Sequence, residues 1–442
     1  MTISKKPRYN LNLIIQETGL KADTIRAWER RYKLPLPARS EGGHRLYSDY
    51  DLATLKWLVS RQKEGMRISQ AVDFWKDLVN SGDDPLQQDK PPTRQADTLI
   101  QVEGEIDTLA DLRHKYLEYC LQFDESHAEQ VLSLAFAQFP LDTVLTSIIL
   151  PSLNKVGQLW YQGEATVQQE HFTAEIAIKK IEALITAAPN PVHAERILVA
   201  SAPGEQHTII LLSLTLLLRQ RGWDVVYLGA NVPNDQMTSV LDDINPALAI
   251  LTSSRLPTTA ELLSTLNILA DKGIPAVYGG WIFDHVPELT QVMPGIFLGN
   301  NLPEAIRKIE ELIRNPQKTG DIKPYPPQNQ DLVKRLLAIR PDLDLALMPN
   351  LHSGRLTFNS AEIYEANLQL VQDLSAALRL GDISFLKLNM DWISGLIKNR
   401  KLDPHELGTY LNAFSDAVDV HLGDEAKMIT TYIRSQIRSR QR

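Results

Sequence analysis

At 442 residues the chain is too long for one hydrophobic core and implies two to four domains. The composition, 43% hydrophobic and 23% charged, is that of an ordinary globular protein, and no apolar run is long enough to span a bilayer. The net charge of -8 hides an asymmetry: residues 1–70 hold 14 Lys/Arg against 7 Asp/Glu, and the remainder 32 against 47. A small basic end on an acidic body is expected to meet a polyanion, with a solvated charged face as the plainer alternative. Cys120 is the only cysteine, which excludes an intrachain disulfide and thiolate zinc clusters and fits a reducing cytoplasm. The opening "MTISKKPRYNLN" has a basic start without an apolar stretch after it, so no secretory signal is expected.

Two stretches rich in turn formers, 79–97 and 314–331, read as linkers. They set off an N-terminal module (8–78), a large middle and a helical C-terminal piece (332–442). In the N-terminal module, "LNLIIQETGLKADTIRAWERRY" predicts two short helices around a turn at Gly19, the second opened by Lys21 or Asp23. Lys21, Thr24, Arg26, Arg30 and Arg31 lie on or beside that second helix, and arginine forks suit phosphates and guanine edges. Downstream, "PARSEGGHRLYSDYDL" holds a Gly-Gly turn flanked by Arg39, His44, Arg45 and Tyr47, the outline of a small wing. Trp28 and Tyr32 read as core residues. These motifs resemble the MerR-type winged helix-turn-helix over roughly residues 8–75. The resemblance implies double-stranded promoter DNA as partner, with Arg26 the base reader and Arg30, Arg39, Arg45 and Tyr47 on the sugar-phosphate backbone.

From 98 to 190 the apolar residues recur at helical spacing, which predicts a bundle of about four helices. It contains "WYQGEATVQQEH", in which Trp160 precedes the adjacent Glu170 and His171 by nine residues. Alone, that stretch reads as a packed Trp and an unrelated polar pair. From 195 to 313, β-branched runs ("RILVASA", "VVYLG", "LAILTS", "IPAVYGG", "GIFLGN") alternate with helical segments. The alternation predicts a five-stranded, parallel, flavodoxin-like α/β domain that holds ligands at the carboxyl ends of its strands. His207 falls just past the first strand, with Glu205 within reach of its ring. A carboxylate on one ring nitrogen makes the other a better metal donor, although a strand-end His is more often satisfied locally.

Here a second resemblance enters. "EQH" after the first strand resembles the cobalamin-binding signature, "SRL" (Ser254 to Leu256) its Ser-x-Leu element, and Gly279-Gly280 its glycine pair. The resemblance implies that His207 is the lower ligand of cobalt, that the Ser254 hydroxyl meets the displaced base, and that the glycines admit a bulky ligand. The signature's glycine is Ile210 here, where a β-branched side chain would narrow the slot for the cofactor's nucleotide tail. The preceding bundle resembles the cap of cobalamin-dependent MerR-type regulators, in which Trp160 covers the upper face and Glu170 and His171 bond an adenosyl group. Together the three parts resemble the light-sensing, adenosylcobalamin-dependent repressors of carotenoid genes. The cofactor implied is cobalamin, adenosylcobalamin ahead of methylcobalamin, which sets assembly as a homo-oligomer (dimer or tetramer) and thereby DNA binding. In photosensory members a His follows the Trp and takes cobalt after light removes the upper group; here that residue is Tyr161, and phenol is the poorer cobalt donor. Two other functions fit less of the chain: a corrinoid carrier of a methyltransferase, and a regulator whose sensor has lost its cofactor and serves protein interaction. The expected fold is therefore multidomain: winged helix-turn-helix, four-helix bundle, flavodoxin-like α/β domain, and an all-α C-terminal domain that faintly echoes the first bundle. The whole is expected to be cytoplasmic, without membrane contact and without enzymatic activity.

Overall fold

The computed structural model describes residues 4–39, 43–63, 68–80, 86, 108–317, 321, 323–324, 326–352, 360–399 and 403–440. The chain forms two compact units, residues 1–106 and 107–442. Most of the expected linker at 79–97, the start of the expected bundle at 98–107 and the wing tip at 40–42 lie outside the described residues.

In the first unit, Asn10 caps α1 (Leu11–Thr18) by accepting from the Leu13 N–H, and Gly19 at φ +69° ends it. Lys21 occupies the cap position of α2 (Ala22–Tyr32). A short antiparallel pair, β1 (Ala38–Arg39) and β2 (Arg45–Leu46), forms the base of the wing, followed by α3 (Asp49–Lys63) and α4 (Ile68–Asn80). Ile14, Ile25, Trp28, Tyr47, Leu55, Trp57 and Trp75 make its core, with the Trp57 and Trp75 rings edge to face at 5.2 Å.

The second unit begins with the expected four-helix bundle. Thr108 and Asp111 cap α5 (Leu109–Leu121) reciprocally, and Asp124 caps α6 (Glu125–Gln138). The third helix enters as α7 (Leu141–Val144), widens into a π turn (Leu145–Ile149) and continues as α8 (Leu150–Gln162). Pro151 explains the widening: it has no N–H for the preceding turn, and its ring crowds that turn's carbonyl. Gly163 at φ +78° ends α8, and a Thr166–Gln169 capping box opens α9 (Val167–Thr186).

The α/β part has all five expected strands: β3 (Arg196–Ser201), β4 (Asp224–Gly229), β5 (Leu248–Thr252), β6 (Ala276–Gly279) and β7 (Ile296–Phe297). They are parallel in the order β4-β3-β5-β6-β7, so the topology reverses between β3 and β5, where doubly wound sheets bind ligands. Helices α10 (Ile209–Gln220), α11 (Met237–Ile244), α12 (Leu256–Asp271), α13 (Trp281–His285) and α14 (Leu302–Arg314) connect and follow the strands.

The C-terminal part is all-helical: α15 (Pro327–Ala338), α16 (Arg340–His352), α17 (Ser360–Leu380), α18 (Lys387–Asn399), α19 (Pro404–Leu422) and α20 (Lys427–Arg440). Helix α15 starts inside the expected linker because Pro327 is the first helical residue, a position where a missing N–H is no loss. Alternate residues of β3 and β5 face opposite cores. Ile197, Val199 and Ile250 join α10, α14 and the front bundle, whereas Leu198, Ala200 and Leu251 join α12 and the C-terminal helices. One sheet is thus covered on each face by a layer continuous with a helical bundle.

Candidate cofactor site

The loop after β3 is built around Glu205, which is fully buried. Its Oε1 accepts from the backbone N–H of His207 at 2.9 Å and lies 2.6 Å from His207 Nδ1. Its Oε2 accepts from the Ser254 N–H at 2.6 Å and the Thr258 hydroxyl at 3.1 Å. Burial by itself would raise this carboxyl, but the bonds from His207 and Ser254 outweigh it and hold the group at about 2. The carboxylate in turn raises His207, against the lowering effect of desolvation. The His207 side chain is still 67% exposed, so with Nδ1 committed it offers Nε2 outward. Neighbouring loops brace the arrangement: Asn231 Oδ1 accepts from the Gly204 N–H at 2.7 Å, and Arg255 donates to the Gly204 carbonyl at 3.1 Å.

The bundle brings its candidate residues to the same end. Trp160 lies in the last turn of α8 and Glu170 and His171 in the first of α9, joined by the tight turn at Gly163. Glu170 Oε2 and His171 Nδ1 are 2.8 Å apart. Helix α9 packs against α10, and the Glu170 charge contributes to raising His207, so the cap faces the loop. The Trp160 ring lies 6.1 Å from Trp392 of the C-terminal part.

Other candidates play parts that differ from those expected. Ser254 serves the loop through its backbone N–H; the serine buried among hydroxyls is Ser253, bonded to Thr258 and Thr259 at 2.9 and 2.8 Å. Leu256 is fully buried in the core shared with the C-terminal helices. Gly280, at φ +135°, makes its close approach to the chain itself: a Cβ there would fall 1.8 Å from the Ser253 carbonyl oxygen. A Cβ on Gly279 would meet open space. Ile210, in the first turn of α10, keeps 38% of its surface exposed.

A cobalamin fits this donor set on two observations. His207 offers a single imidazole with its Nδ1 held by Glu205, the donor number that suits a metal arriving with its other ligands in a macrocycle. Ser201 and Thr252, paired in register at the ends of β3 and β5, carry buried hydroxyls without a protein partner, at the topological switch point. The sequence did not single them out, because only the strand register sets them side by side; a hydroxyl residue ending each of two apolar runs was the available signal.

In the N-terminal unit, Lys21, Arg26, Arg30, Arg31, Arg39 and His44 are exposed and Thr24 is half-buried. Arg45 is partly committed, its Nε 2.9 Å from Glu29. Tyr47 corrects the expectation of a backbone contact: it is fully buried and hydrogen-bonds through its main chain to Tyr9, which makes it a core residue of the wing's base.

The fold joins a winged helix-turn-helix module to a helical bundle and a doubly wound parallel sheet, and the comparisons give these parts a common class, a DNA-binding regulator with a cobalamin-binding sensor. Residues 9–77 match the model of the MerR HTH family regulatory protein, and residues 112–185 and 195–300 match two models described as B12 binding domain. The chain carries these three domains and is homologous to two repressors of Myxococcus xanthus. It is 29% identical to the HTH-type transcriptional repressor CarH over 280 residues, 62% of this chain and 88% of that protein. With the repressor CarA it shares 25% identity over 274 residues, 61% of this chain and 85% of the relative. The HTH-type transcriptional regulator MlrA of Escherichia coli is 40% identical over 60 residues, 13% of this chain and 25% of that protein.

Proposed function

We propose that this chain is a transcriptional regulator, a repressor, whose grip on promoter DNA is set by adenosylcobalamin. The observation that carries the reading is the His207–Glu205 pair, 2.6 Å apart, beside the partnerless hydroxyls of Ser201 and Thr252. His207 would hold the metal through Nε2 while Glu205 fixes its tautomer and orientation. Ser201 and Thr252 would meet polar atoms of the nucleotide tail, and Trp160, Glu170 and His171 would cover the upper face and exclude water. When bound, the cofactor supplies a cobalt centre with a weak bond to its upper organic group. Arg26 would read bases while Arg30 and Arg39 take phosphates.

Cofactor occupancy would set how protomers assemble as a dimer or tetramer in the cytoplasm, and assembly would multiply weak DNA contacts. Control by occupancy is favoured over control by a second histidine ligand, because residue 161 is a tyrosine, whose phenol is a poorer cobalt donor than a neutral imidazole. A DNA-binding module on the same chain favours regulation over a carrier's role in catalysis. The test selects duplexes from a random pool with the full-length protein, then measures their binding in the dark with and without adenosylcobalamin. The expected result is a shift of at least about tenfold in apparent affinity, equivalent to ~1.4 kcal/mol of coupling. Identical curves from protein that retains the corrin spectrum would refute control by the cofactor.

A further inference from the structure

In residues 195–313 three large apolar side chains are exposed: Ile210 by 38%, Leu228 by 36% and Trp281 by 48%. Scattered singly, such side chains need no explanation. These three all lie at the carboxyl ends of the strands, the edge on which His207 stands, and among the described residues of the α/β part no other large apolar side chain is exposed. Local devices bring two of them out. The β3–β4 pairing shifts register between Val199 and Ala200, which face Tyr227 and Gly229, so Leu228 is an extra residue without a partner on β3. A bulge of this kind re-aims a side chain. Trp281 follows Gly280, whose backbone packs on the Ser253 carbonyl too closely for any Cβ. That close turn starts α13 with the indole exposed and stacked on His285, ring centroids 3.8 Å apart. Ile210 lies in the first turn of α10, three residues past His207.

The strand order sets these groups about the imidazole. Leu228 is near the end of β4, on one side of β3, and Trp281 follows β6, two strands away on the other side. With neighbouring strands about 4.8 Å apart, the row from β4 to β6 spans roughly 14 Å. We propose that Leu228 and Trp281 seat the corrin ring, meeting its lower face on either side of the His207 imidazole, with Ile210 between them. The inference deepens the cofactor reading above and rests on it. A broad, flat ligand edged with methyl and methylene groups matches an apolar row of that width, whereas a compact nucleotide calls for one pocket and a phosphate cradle. Trp281 carries the larger share, because an indole offers the most area and its stack on His285 holds it in place. The three side chains act on the ring, while Ser201 and Thr252 are assigned to the nucleotide tail, so the two sets of contacts can be separated chemically.

The test titrates the full-length protein in the dark with adenosylcobalamin and, separately, with cobinamide, a corrin that lacks the nucleotide tail. Bound corrin is read from its absorption after ultrafiltration. Trp281→Ala should weaken both ligands by the same factor, about tenfold, while the bound fraction keeps the spectrum seen with the wild type, since His207 is untouched. Trp281→Phe should recover most of that loss, and Leu228→Ser should weaken both ligands by about threefold. Circular dichroism and gel filtration of each variant should match the wild type, because both side chains are partly exposed. Equal affinities in wild type and Trp281→Ala overturn the seat, as does a loss confined to adenosylcobalamin, which would place the indole on the tail. A changed oligomeric state with corrin affinity retained also overturns it and makes this edge a protein contact. A wild type that holds neither corrin overturns the cofactor reading, and the seat falls with it.

Discussion

In the front bundle Phe123 turns the chain at φ +59° and Asp124 caps the next helix; in the C-terminal bundle Gly381 turns it at φ +94° and Asp382 does the capping. Gly163 at φ +78° ends α8 four residues before α9 begins, and Gly423 at φ +62° ends α19 four residues before α20. The backbone plan repeats, but the chemistry does not. Counted from the two glycines, Trp160 corresponds to Val420, Glu170 to Thr430 and His171 to Thr431. Val420 is 80% exposed and Thr430 is buried on Asp419. The two corners share a backbone scaffold and differ in the three side chains it presents.

The largest expected effect tests whether the C-terminal bundle is part of the sensor's core. Phe414→Ala should cost about 3–5 kcal/mol, and because its cluster includes sheet residues, urea unfolding should lose both parts in one transition. An early C-terminal transition with the sheet untouched would make the bundle a mere appendage.

Two buried carboxyls then sharpen the contrast through opposite signs. Glu205 is held at about 2 against an ordinary 4.5, so its contribution is present above 4.5 and lost as pH falls toward 2. Glu205→Gln should remove about 1.5–3 kcal/mol near neutrality and little in acid. Asp373, 3% exposed in α17, is pushed by burial up to about 6 from 3.8, despite bonds from Asn389 and Gln369 and the charge of Arg255. Folding therefore favours its protonated form, and stability falls as pH rises from 3.8 through about 6. Asp373→Asn should accordingly gain about 1–3 kcal/mol at alkaline pH, the gain fading in acid, as denaturation at both extremes would reveal. A loss at alkaline pH would mean that the ionised carboxylate is instead stabilised by its partners. The smallest effect is assigned to Val420→Ser: unfolding should shift by less than about 0.5 kcal/mol, and a larger loss would show that this corner is covered.

Local signals in the sequence carried much of the architecture. Short β-branched runs alternating with helical segments marked all five strands, the turn at Gly19 marked the paired helices, and Glu205 and His207 sit two residues apart on one loop, so their contact needs no tertiary knowledge. What stayed hidden depends on partners distant in the chain. Ser201 meets Thr252 only through strand register, Tyr161 meets Gly395 only through docking of α18, and Asp373 is burdened only because two cores fuse. Tyr47 misled for a related reason: its neighbours Arg45 and His44 mark a surface, yet its main chain bridges to Tyr9 and its ring is buried in the core of the unit.

The most direct measurement is an absorption spectrum of the full-length protein after incubation with adenosylcobalamin in the dark and gel filtration, beside His207→Ala. A corrin spectrum co-eluting with the wild type and weakened or lost in the variant is the predicted result. Equal corrin retention by both proteins, or a colourless wild type, would contradict the assignment of His207 as the metal's anchor.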